Sequence, residues 1–335
     1  MRVFIFFLLC FPIFVFGQVF ETNFGGSSGD YGYSVHQTSD GGYIMVGHTE
    51  SFGNGDEVYL VKVDANGVQQ WYRTFGGWDY DDGYSVQETS DGGFIIVGVT
   101  YSFSNGDGDV YLVKTDSNGI QQWYRTFGGW DYDYGNFVQQ TSDGGYVITG
   151  YTNMGDTLGN VYLIKTNSNG IQQWYKTIGG IDSDEGYCVQ QTSDGGYIIS
   201  GYTRSFSIGA SDVYLIKTDN QGDTLWTKTF GGIGHFYDYG YSVKQTSDGG
   251  YIVAGEKFSF GNSDVYLIKT DLNGNEIWTK TFGGIDADRG YSVQQTSDGG
   301  YIVTGNTNSF GSGSWDVYLI KTDANGDSIW TKTFG

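Results

Sequence analysis

The stretch from residue 289 to residue 335, "RGYSVQQTSDGGYIVTGNTNSFGSGSWDVYLIKTDANGDSIWTKTFG", contains the pattern that decides the fold. Its most regular block, "TSDGG", occurs six times along the chain. The aspartates of these blocks follow one another at intervals of 50 to 54 residues and are Asp40, Asp91, Asp143, Asp194, Asp248 and Asp298. Six copies of one template therefore cover nearly the whole chain, and a period of this length is typical of repeat architectures.

Each copy predicts four β-strands. "GYSVQQT" and "YIVTG" flank an Asp-Gly turn, and "DVYLIKTD" and "SIWTKTF" flank an Asn-Gly turn, which are strong short-range hairpin signals. No segment has the apolar period of a helix. A single four-stranded sheet leaves both faces unburied, whereas radial packing of the copies covers them. The sequence therefore predicts an all-β protein, a β-propeller of four-stranded antiparallel blades with six complete repeats of about 51 residues.

The number of blades stays open at this point. Residues 20–26, "FETNFGG", match the fourth strand of the template, so seven fourth strands accompany six copies of the other three. One interpretation is a six-bladed ring with a spare N-terminal strand, and the other is a seven-bladed ring truncated at Gly335. In either case, residues 18–335 are expected to form a single β-propeller domain.

The first residues predict export. Residues 1–17, "MRVFIFFLLCFPIFVFG", have a basic start and an apolar run that is too short for a comfortable membrane span, as in a signal peptide. We therefore expect a secreted, periplasmic or cell-surface protein without membrane insertion after the signal is removed, and a monomer. Cys188 is then the only cysteine, so no internal disulfide is possible, and it is interpreted as a small core residue.

The charge of the chain excludes two classes of partner. The formal net charge is −21, whereas binding to nucleic acid requires a basic surface. Anionic membrane surfaces are disfavoured for the same reason. Protein and glycan ligands remain.

The template resembles known propeller repeats. "YIVTG...DVYLIKTDANGDSIW" is similar to the kelch repeat, and "TDANGDSIW" resembles the tryptophan-docking segment of quinoprotein-like propellers. The whole chain from residue 20 is similar to the "SDGGYI...DVYLIKTD.NG" repeats of exported bacterial propellers. These resemblances imply a propeller fold and leave the ligand open.

Recurrent aromatic residues and lysines are expected inside the propeller. The aromatic positions of the third and fourth strands predict contacts between blades at Tyr59, Tyr111, Tyr162, Tyr214, Tyr266 and Tyr318, and at Trp71, Trp123, Trp174, Trp226, Trp278 and Trp330. A lysine recurs on each third strand, at Lys62, Lys114, Lys165, Lys217, Lys269 and Lys321. A buried ammonium needs an ion-pair partner, which we expect to be an aspartate in a loop or turn of a neighbouring repeat.

Four of the connections between blades contain the pattern D-x-D-x-G, which resembles the start of a calcium loop. The candidate metal ligands are Asp79, Asp81, Asp131, Asp133, Asp182, Asp184, Asp286 and Asp288. Ca²⁺ takes six to eight oxygen ligands, and the bidentate glutamate of an EF-type loop is absent. The other interpretation is that these aspartates form turns and accept backbone N–H groups. Ca²⁺ is therefore the one candidate cofactor.

The pattern of variation indicates where function lies. The "TSDGG" and "TDANG" turns are nearly invariant and lie on one face, whereas the loops of the opposite face differ between copies, which is typical of a binding surface. His36, His48 and His235 occupy unrelated template positions and predict neither a zinc site nor a hydrolase triad. We expect an exported, non-catalytic binding or scaffolding propeller with a glycan or protein ligand, and no catalytic residue is assigned. The alternative is a propeller hydrolase, glycosidase or lactonase-like, with calcium in its channel.

Overall fold

The computed structural model describes residues 22–155, 158–232, 237–259 and 261–335. Every regular element within these ranges is a β-strand, and the strands form six separate four-stranded sheets. The predicted signal peptide, residues 1–17, lies outside the described residues, as does His235. No helix in the described part of the chain has the length and apolarity needed to cross a bilayer.

The strands fall into six consecutive groups of four, one for each repeat. Blades 1 and 2 contain β1 (Asp30–Gln37), β2 (Tyr43–Thr49), β3 (Glu57–Val63), β4 (Gln69–Phe75), β5 (Asp81–Glu88), β6 (Phe94–Thr100), β7 (Asp109–Thr115) and β8 (Gln121–Phe127). Blades 3 and 4 contain β9 (Asp133–Gln140), β10 (Tyr146–Thr152), β11 (Asn160–Thr166), β12 (Gln172–Ile178), β13 (Asp184–Gln191), β14 (Tyr197–Thr203), β15 (Asp212–Thr218) and β16 (Thr224–Phe230). Blades 5 and 6 contain β17 (Asp238–Gln245), β18 (Tyr251–Ser259), β19 (Asn262–Thr270), β20 (Glu276–Phe282), β21 (Asp288–Gln295), β22 (Tyr301–Thr307), β23 (Asp316–Thr322) and β24 (Ser328–Phe334).

The topology is that of a six-bladed β-propeller. Within each sheet the strands follow in sequence order and pair antiparallel. The first strands of successive blades contact one another, from β1 with β5 to β17 with β21, whereas the fourth strands show no comparable contact among the described residues. The first strands are therefore innermost around the axis. The predicted fold class is confirmed.

The core lies between blades. Five clusters of buried side chains each join the forward face of one blade, the face toward the next repeat, to the rear face of the following blade. The recurrent tyrosine of the third strand lies in these clusters, for example Tyr111 at 2% exposure. The recurrent tryptophans are only partly buried and pack at the edges of the clusters, as Trp71 does. The predicted inter-blade role is confirmed for five of the six tyrosines and five of the six tryptophans. It is wrong for Tyr59, which packs only against residues of blade 1 and Phe24, and for Trp330, which is 37% exposed, because no neighbouring blade covers these two surfaces.

In the part of the chain that the structure describes, blade 6 and blade 1 do not pack against each other in this way. Val35 on the rear face of blade 1 is 64% exposed, whereas its counterpart Val86 is 4% exposed. Val317 on the forward face of blade 6 is 53% exposed, whereas its counterpart Val110 is fully buried. We call these two sheet surfaces the open faces.

The N-terminal segment lies at the open face of blade 1. Residues 22–26 form no strand, and Phe24 packs beside Tyr59 and Val61. The Gly26 N–H donates to Asp30 Oδ2 over 2.7 Å, as the Gly77 N–H donates to Asp81 over 2.9 Å after β4. The end of this segment therefore repeats the contacts made by the end of a fourth strand.

The invariant turn block and the recurrent lysine form one clamp in every blade. In blade 1, the Lys62 ammonium lies 2.9 Å from Asp40 and donates to the Val63 carbonyl over 3.0 Å. Gly41 has a φ of +84°, and a Cβ at Gly42 would lie 2.3 Å from the Val63 carbonyl oxygen and 2.6 Å from Lys62 Nζ. The two glycines of "DGG" are thus required for different reasons. Gly41 adopts a left-handed backbone conformation, and Gly42 leaves space for the Val63 carbonyl and the ammonium that binds it.

The predicted ion-pair partner of the lysines was wrong in one respect. Lys114 pairs with Asp91, and the same holds in all six blades: the aspartate comes from the turn of the same repeat, not from a neighbouring one. The physical reason is that β2 returns beside β3, which brings the turn between the first two strands to the end of the third strand.

Candidate functional site

The candidate site lies where the innermost strands begin, on the face that carries the variable loops. Two positions at the start of each first strand and one position in each second strand differ between the repeats, although their surroundings are constant. The first position is occupied by Tyr31, Asp82, Tyr134, Glu185, Tyr239 and Arg289. The second is occupied by Tyr33, Tyr84, Asn136, Tyr187, Tyr241 and Tyr291, and the third by His48, Val99, Tyr151, Tyr202, Glu256 and Asn306. We call the ring that these side chains form the channel mouth.

Contacts link the channel mouth from blade 1 to blade 6. The Tyr33 and Tyr84 rings are 5.6 Å apart, and the Tyr101 and Tyr134 hydroxyls are 3.0 Å apart. The remaining links are Asn136 to Glu185 by a hydrogen bond, and Tyr187 to Tyr241 and Tyr241 to Tyr291 by ring contacts at 5.3 Å and 5.2 Å. The mouth is therefore one continuous aromatic and polar surface.

A histidine–aspartate pair lies in the mouth between blades 1 and 2. His48 Nδ1 is 2.8 Å from Asp82 Oδ1, and both side chains are buried. The Tyr80 hydroxyl donates to Asp82 Oδ2 over 2.5 Å, and the Tyr84 hydroxyl donates to the same oxygen over 3.1 Å. Burial, with the Asp82 carboxylate adding to it, raises the pKa of Tyr84. These tyrosines are therefore neutral hydrogen-bond donors at physiological pH.

A glutamate lies in the mouth at the junction of blades 3 and 4. Asn136 Nδ2 donates to Glu185 Oε1 over 2.8 Å and to the Gly186 carbonyl over 3.0 Å. Glu185 keeps part of its surface open to solvent, yet protein encloses its carboxyl group closely enough for burial to raise its pKa. Hydrogen bonds from Asn136, Tyr187 and Tyr202 oppose this rise. Burial, the largest cause, therefore favours the protonated form of Glu185 more than it is favoured in water.

A cleft opens from the mouth between blades 5 and 6. Its volume is about 430 Å³, and Tyr237, Tyr239, Glu256, Asp286 and Arg289 are among its lining residues. Arg289 Nε donates to Glu256 Oε2 over 2.7 Å, and the Tyr241 hydroxyl donates to Glu256 Oε1 over 2.7 Å.

The arginine of this cleft is held on two sides. Its guanidinium also lies 5.1 Å from the centre of the Trp315 ring, a cation–π distance. A buried carboxylate, an oriented guanidinium and aromatic rings therefore converge on one concave surface.

Several tyrosines of the mouth and its rim present their rings to solvent. Exposed fractions of 41% to 53% are found for Tyr31, Tyr33, Tyr132, Tyr237 and Tyr291. Exposed aromatic rings beside buried polar groups are typical of ligand sites.

The predicted calcium ligands occupy two different environments. Asp81, Asp133, Asp184 and Asp288 are fully buried, and each accepts the N–H of the glycine four residues earlier at 2.8 to 2.9 Å. Asp79, Asp131 and Asp286 are exposed, and Asp182 is half-buried. Asp79 and Asp182 each accept the N–H of the following residue. The described residues include no group of three or more His, Cys, Asp or Glu side chains arranged to hold a metal, and calcium at these eight residues stays a prediction.

Sequence reasoning missed the channel mouth, although a signal was present. Asp82, Glu185 and Arg289 replace an aromatic residue of the template, and His48 and Glu256 share one position in the second strand. Such departures at one template position point to a site on the axis. Cys188 is 2% exposed and lies in a core cluster, so burial raises the pKa of its thiol.

Comparison with known proteins gives the fold and one distant relative. No family model matches the chain. The regulatory protein FlaEY of Caulobacter vibrioides is 30% identical over 154 residues, which is 38% of this chain and 16% of that protein. The chain thus spans about one sixth of the curated relative that it matches.

Solved propeller structures superpose on most of the chain at low identity. Sqt1 of Chaetomium thermophilum gives a TM-score of 0.52 at 13% identity, covering 90% of this chain and 72% of that chain. Sqt1 bound to the N-terminus of a ribosomal protein gives 0.52 at 12% identity, covering 90% and 74%. A puromycin hydrolase mutant complexed with PGG gives 0.53 at 11% identity, covering 91% and 45%. At such identities these similarities concern the fold alone.

Proposed function

We propose that this protein is a binding propeller whose ligand, a glycan, occupies the channel mouth and the cleft beside Arg289. The observation that carries the proposal is the position of the variable residues. The template is nearly constant on the turn face, whereas tyrosines, buried carboxylates and an arginine gather at the mouth. Sites on a constant scaffold are typically built in this way.

The chemistry of the mouth suits a sugar. Aromatic faces stack on the apolar faces of sugar rings, and Glu256 and Arg289 offer an acceptor and donors for hydroxyl groups at fixed positions. The cleft volume of about 430 Å³ lies in the range of small-molecule sites. A protein ligand is the other class that the fold supports, since a structure of similar fold binds the N-terminus of a ribosomal protein.

A glycan array tests the proposal. Labelled protein, residues 18–335, is expected to bind a restricted set of glycans, and Tyr291→Ala is expected to weaken that binding about tenfold. Tyr291 is 42% exposed in the mouth. The matched control is Tyr175→Ala, because Tyr175 is 48% exposed but lies in the fourth strand β12, away from the axis.

Two results would count against this proposal. An array signal no greater than that of heat-unfolded protein would show that the ligand is not a glycan. An equal loss of glycan binding in the Tyr291→Ala and Tyr175→Ala variants would show that the channel mouth is not the binding site. A protein ligand that is lost only with Tyr291→Ala would keep the site and replace the glycan with a protein.

A glycosidase is the second candidate function, favoured by Glu185. Its pKa is raised by burial, as a general acid requires, and carboxylates are also present at Asp82 and Glu256. Hydrolysis of any glycan that the protein binds, abolished by Glu185→Gln with binding retained, would establish this activity. Binding without hydrolysis would leave the propeller as a binding protein.

The proposal includes export through residues 1–17. N-terminal sequencing of the mature protein is expected to begin at Gln18. A mature chain that begins at Met1 would contradict the proposed export, but it would not bear on the proposed binding site.

A further inference from the structure

A pair of acidic residues recurs where adjacent blades meet on the loop face. One lies just before the conserved Val-Tyr of a third strand, and the other is the first residue of the next blade's first strand, as in Asp109 with Asp133 and Asp264 with Asp288. Asp264 is half-buried. Asp109 is 2% exposed, and Asp133 and Asp288 are fully buried.

The two carboxyl groups of a pair converge on one glycine. A Cβ built on Gly128 would lie 2.1 Å from Asp109 Oδ1 and 2.6 Å from Asp133 Oδ2. At Gly283 the same distances are 2.0 Å to Asp264 Oδ1 and 2.6 Å to Asp288 Oδ2. The first glycine of the "FGG" block is thus needed because carboxylate oxygens occupy the space of a side chain.

Two oxygens in each of these pairs have no hydrogen-bond partner. They are Asp109 Oδ1 with Asp133 Oδ1, and Asp264 Oδ1 with Asp288 Oδ1, and all four atoms are buried. Asp133 Oδ2 does accept a hydrogen bond, from the Gly129 N–H over 2.9 Å. Two carboxylates this close repel each other, and a bound cation would offset the repulsion while using the oxygens that lack a partner.

The other three packed interfaces differ at this point. Between blades 3 and 4, Asn160 stands where Asp109 stands, so one charge is absent. Between blades 1 and 2, Glu57 stands there, and a Cβ on Gly76 would meet its Cγ at 3.1 Å and not its carboxyl group, which accepts the Asn54 N–H in the loop. The two carboxylates therefore do not converge on that glycine.

Between blades 4 and 5, a lysine replaces the threonine that faces the first-strand aspartate in the other blades. Lys257 pairs with Asp238 across β17 and β18, where Thr152 pairs with Asp133. Burial raises the pKa of Asp238 to about 6, and the charge of Lys257 opposes that rise for both Asp238 and Asp212. A cation from the chain itself therefore lies beside this pair.

We propose that the pairs Asp109–Asp133 and Asp264–Asp288 each bind a divalent cation of the Ca²⁺ class, at the two interfaces that lack internal compensation. Hard cations prefer carboxylate oxygens and complete their shells with carbonyl oxygens and water. These sites differ from the D-x-D pattern, since their two acids come from adjacent blades.

Isothermal titration calorimetry on the EDTA-treated chain tests the proposal. Calcium is expected to bind at two sites per chain and to raise the melting temperature by roughly 5 °C at saturation. Asp109→Asn and Asp264→Asn copy the natural Asn160 and are each expected to remove one site without loss of the fold. Asp79→Asn, which changes an exposed loop acid, is the control and is expected to keep two sites.

A lysine variant gives a second readout. Thr152→Lys places the lysine of blade 5 at the interface of blades 2 and 3, so it is expected to remove one calcium site and to raise the melting temperature in EDTA. Absence of calcium binding to the unmodified chain at millimolar concentration would overturn the proposal. Loss of binding with Asp79→Asn, but not with Asp109→Asn, would overturn it as well.

Discussion

The five packed interfaces and the two open faces of this propeller are built from the same template and differ in exposure. Leu112 in β7 is fully buried between blades 2 and 3, whereas its counterpart Leu319 in β23 is half-buried at the open face of blade 6. The recurrent tryptophan shows the same difference, since Trp330 is 37% exposed and Trp123 packs against the next blade. The comparison shows that an apolar position stabilises a blade only through the neighbour that covers it.

The largest expected effect comes from matched truncations on the two kinds of surface. Leu112→Ala is expected to lower the free energy of unfolding by about 3 to 4 kcal/mol, because it leaves a cavity in a closed core. Leu319→Ala is expected to cost about 1 kcal/mol, because solvent already reaches that position. Urea unfolding followed by tryptophan fluorescence measures both. Equal costs would mean that blade 6 is covered in solution.

The next effect comes from covering the open faces. A copy of residues 283–322 appended after Gly335 would supply three further strands, which we expect to pack between the open faces of blade 6 and blade 1. We expect a gain of about 2 to 3 kcal/mol from burial of side chains such as Val35 and Val317, and a blue shift of Trp330 emission. The same segment with its third-strand valine changed to aspartate is the control. An unchanged emission maximum would contradict the fit.

A smaller effect is expected from the lysine clamps. Asp91→Ala leaves the Lys114 ammonium, 3% exposed, without its carboxylate and is expected to cost about 1 to 2 kcal/mol. Asp298→Ala at the open end is expected to cost less than half as much, because the Lys321 side chain is 13% exposed. Chemical unfolding of the two variants side by side checks the difference, and identical losses would show that the ends gain as much from the clamps as the interior.

The most gradual effect is expected from acid, which weakens each clamp over several pH units. Desolvation alone would raise the pKa of Asp91, but hydrogen bonds from Thr89, Lys114 and Gly93 outweigh it and lower the pKa to about 2. Asp143, Asp194 and Asp248 share this value. Because the folded pKa lies below the unfolded one of about 3.9, this stabilisation is complete above pH 4 and is lost as the pH falls through 2. Thermal melts from pH 5 to pH 2 check this.

The fold was predictable because its signals are local and repeated six times. The Asp-Gly and Asn-Gly turns give the hairpins, and the constant spacing gives the blades. The within-blade partner of Lys62 was misassigned because linear spacing does not show which turn lies beside the end of a strand. The open faces depend on the summed angles between blades, which no single repeat encodes.

The candidate site was only partly predictable. The variable face was identified from the loops, but the channel mouth joins residues about 50 positions apart, such as Asn136 and Glu185, whose contact depends on the radial arrangement. The acid pairs at the blade interfaces were hidden for the same reason. In the sequence, each acid of a pair looks like an ordinary turn residue of its own repeat. Only the folded structure shows that Asp109 and Asp133 converge on Gly128.

The lack of packing between blade 6 and blade 1 has a consequence for cooperativity. Strand pairs join neighbours in sequence, and the five packed interfaces join consecutive repeats. Among the described residues, no strands of blade 6 and blade 1 make contacts like those of the packed interfaces. We therefore expect the six blades to behave as a linear array with nearest-neighbour coupling. Such an array unfolds from both ends inward, so blades 3 and 4 are expected to be its most stable part. A ligand that spans the channel mouth would connect blades that are not neighbours in sequence and would thereby stabilise the whole array.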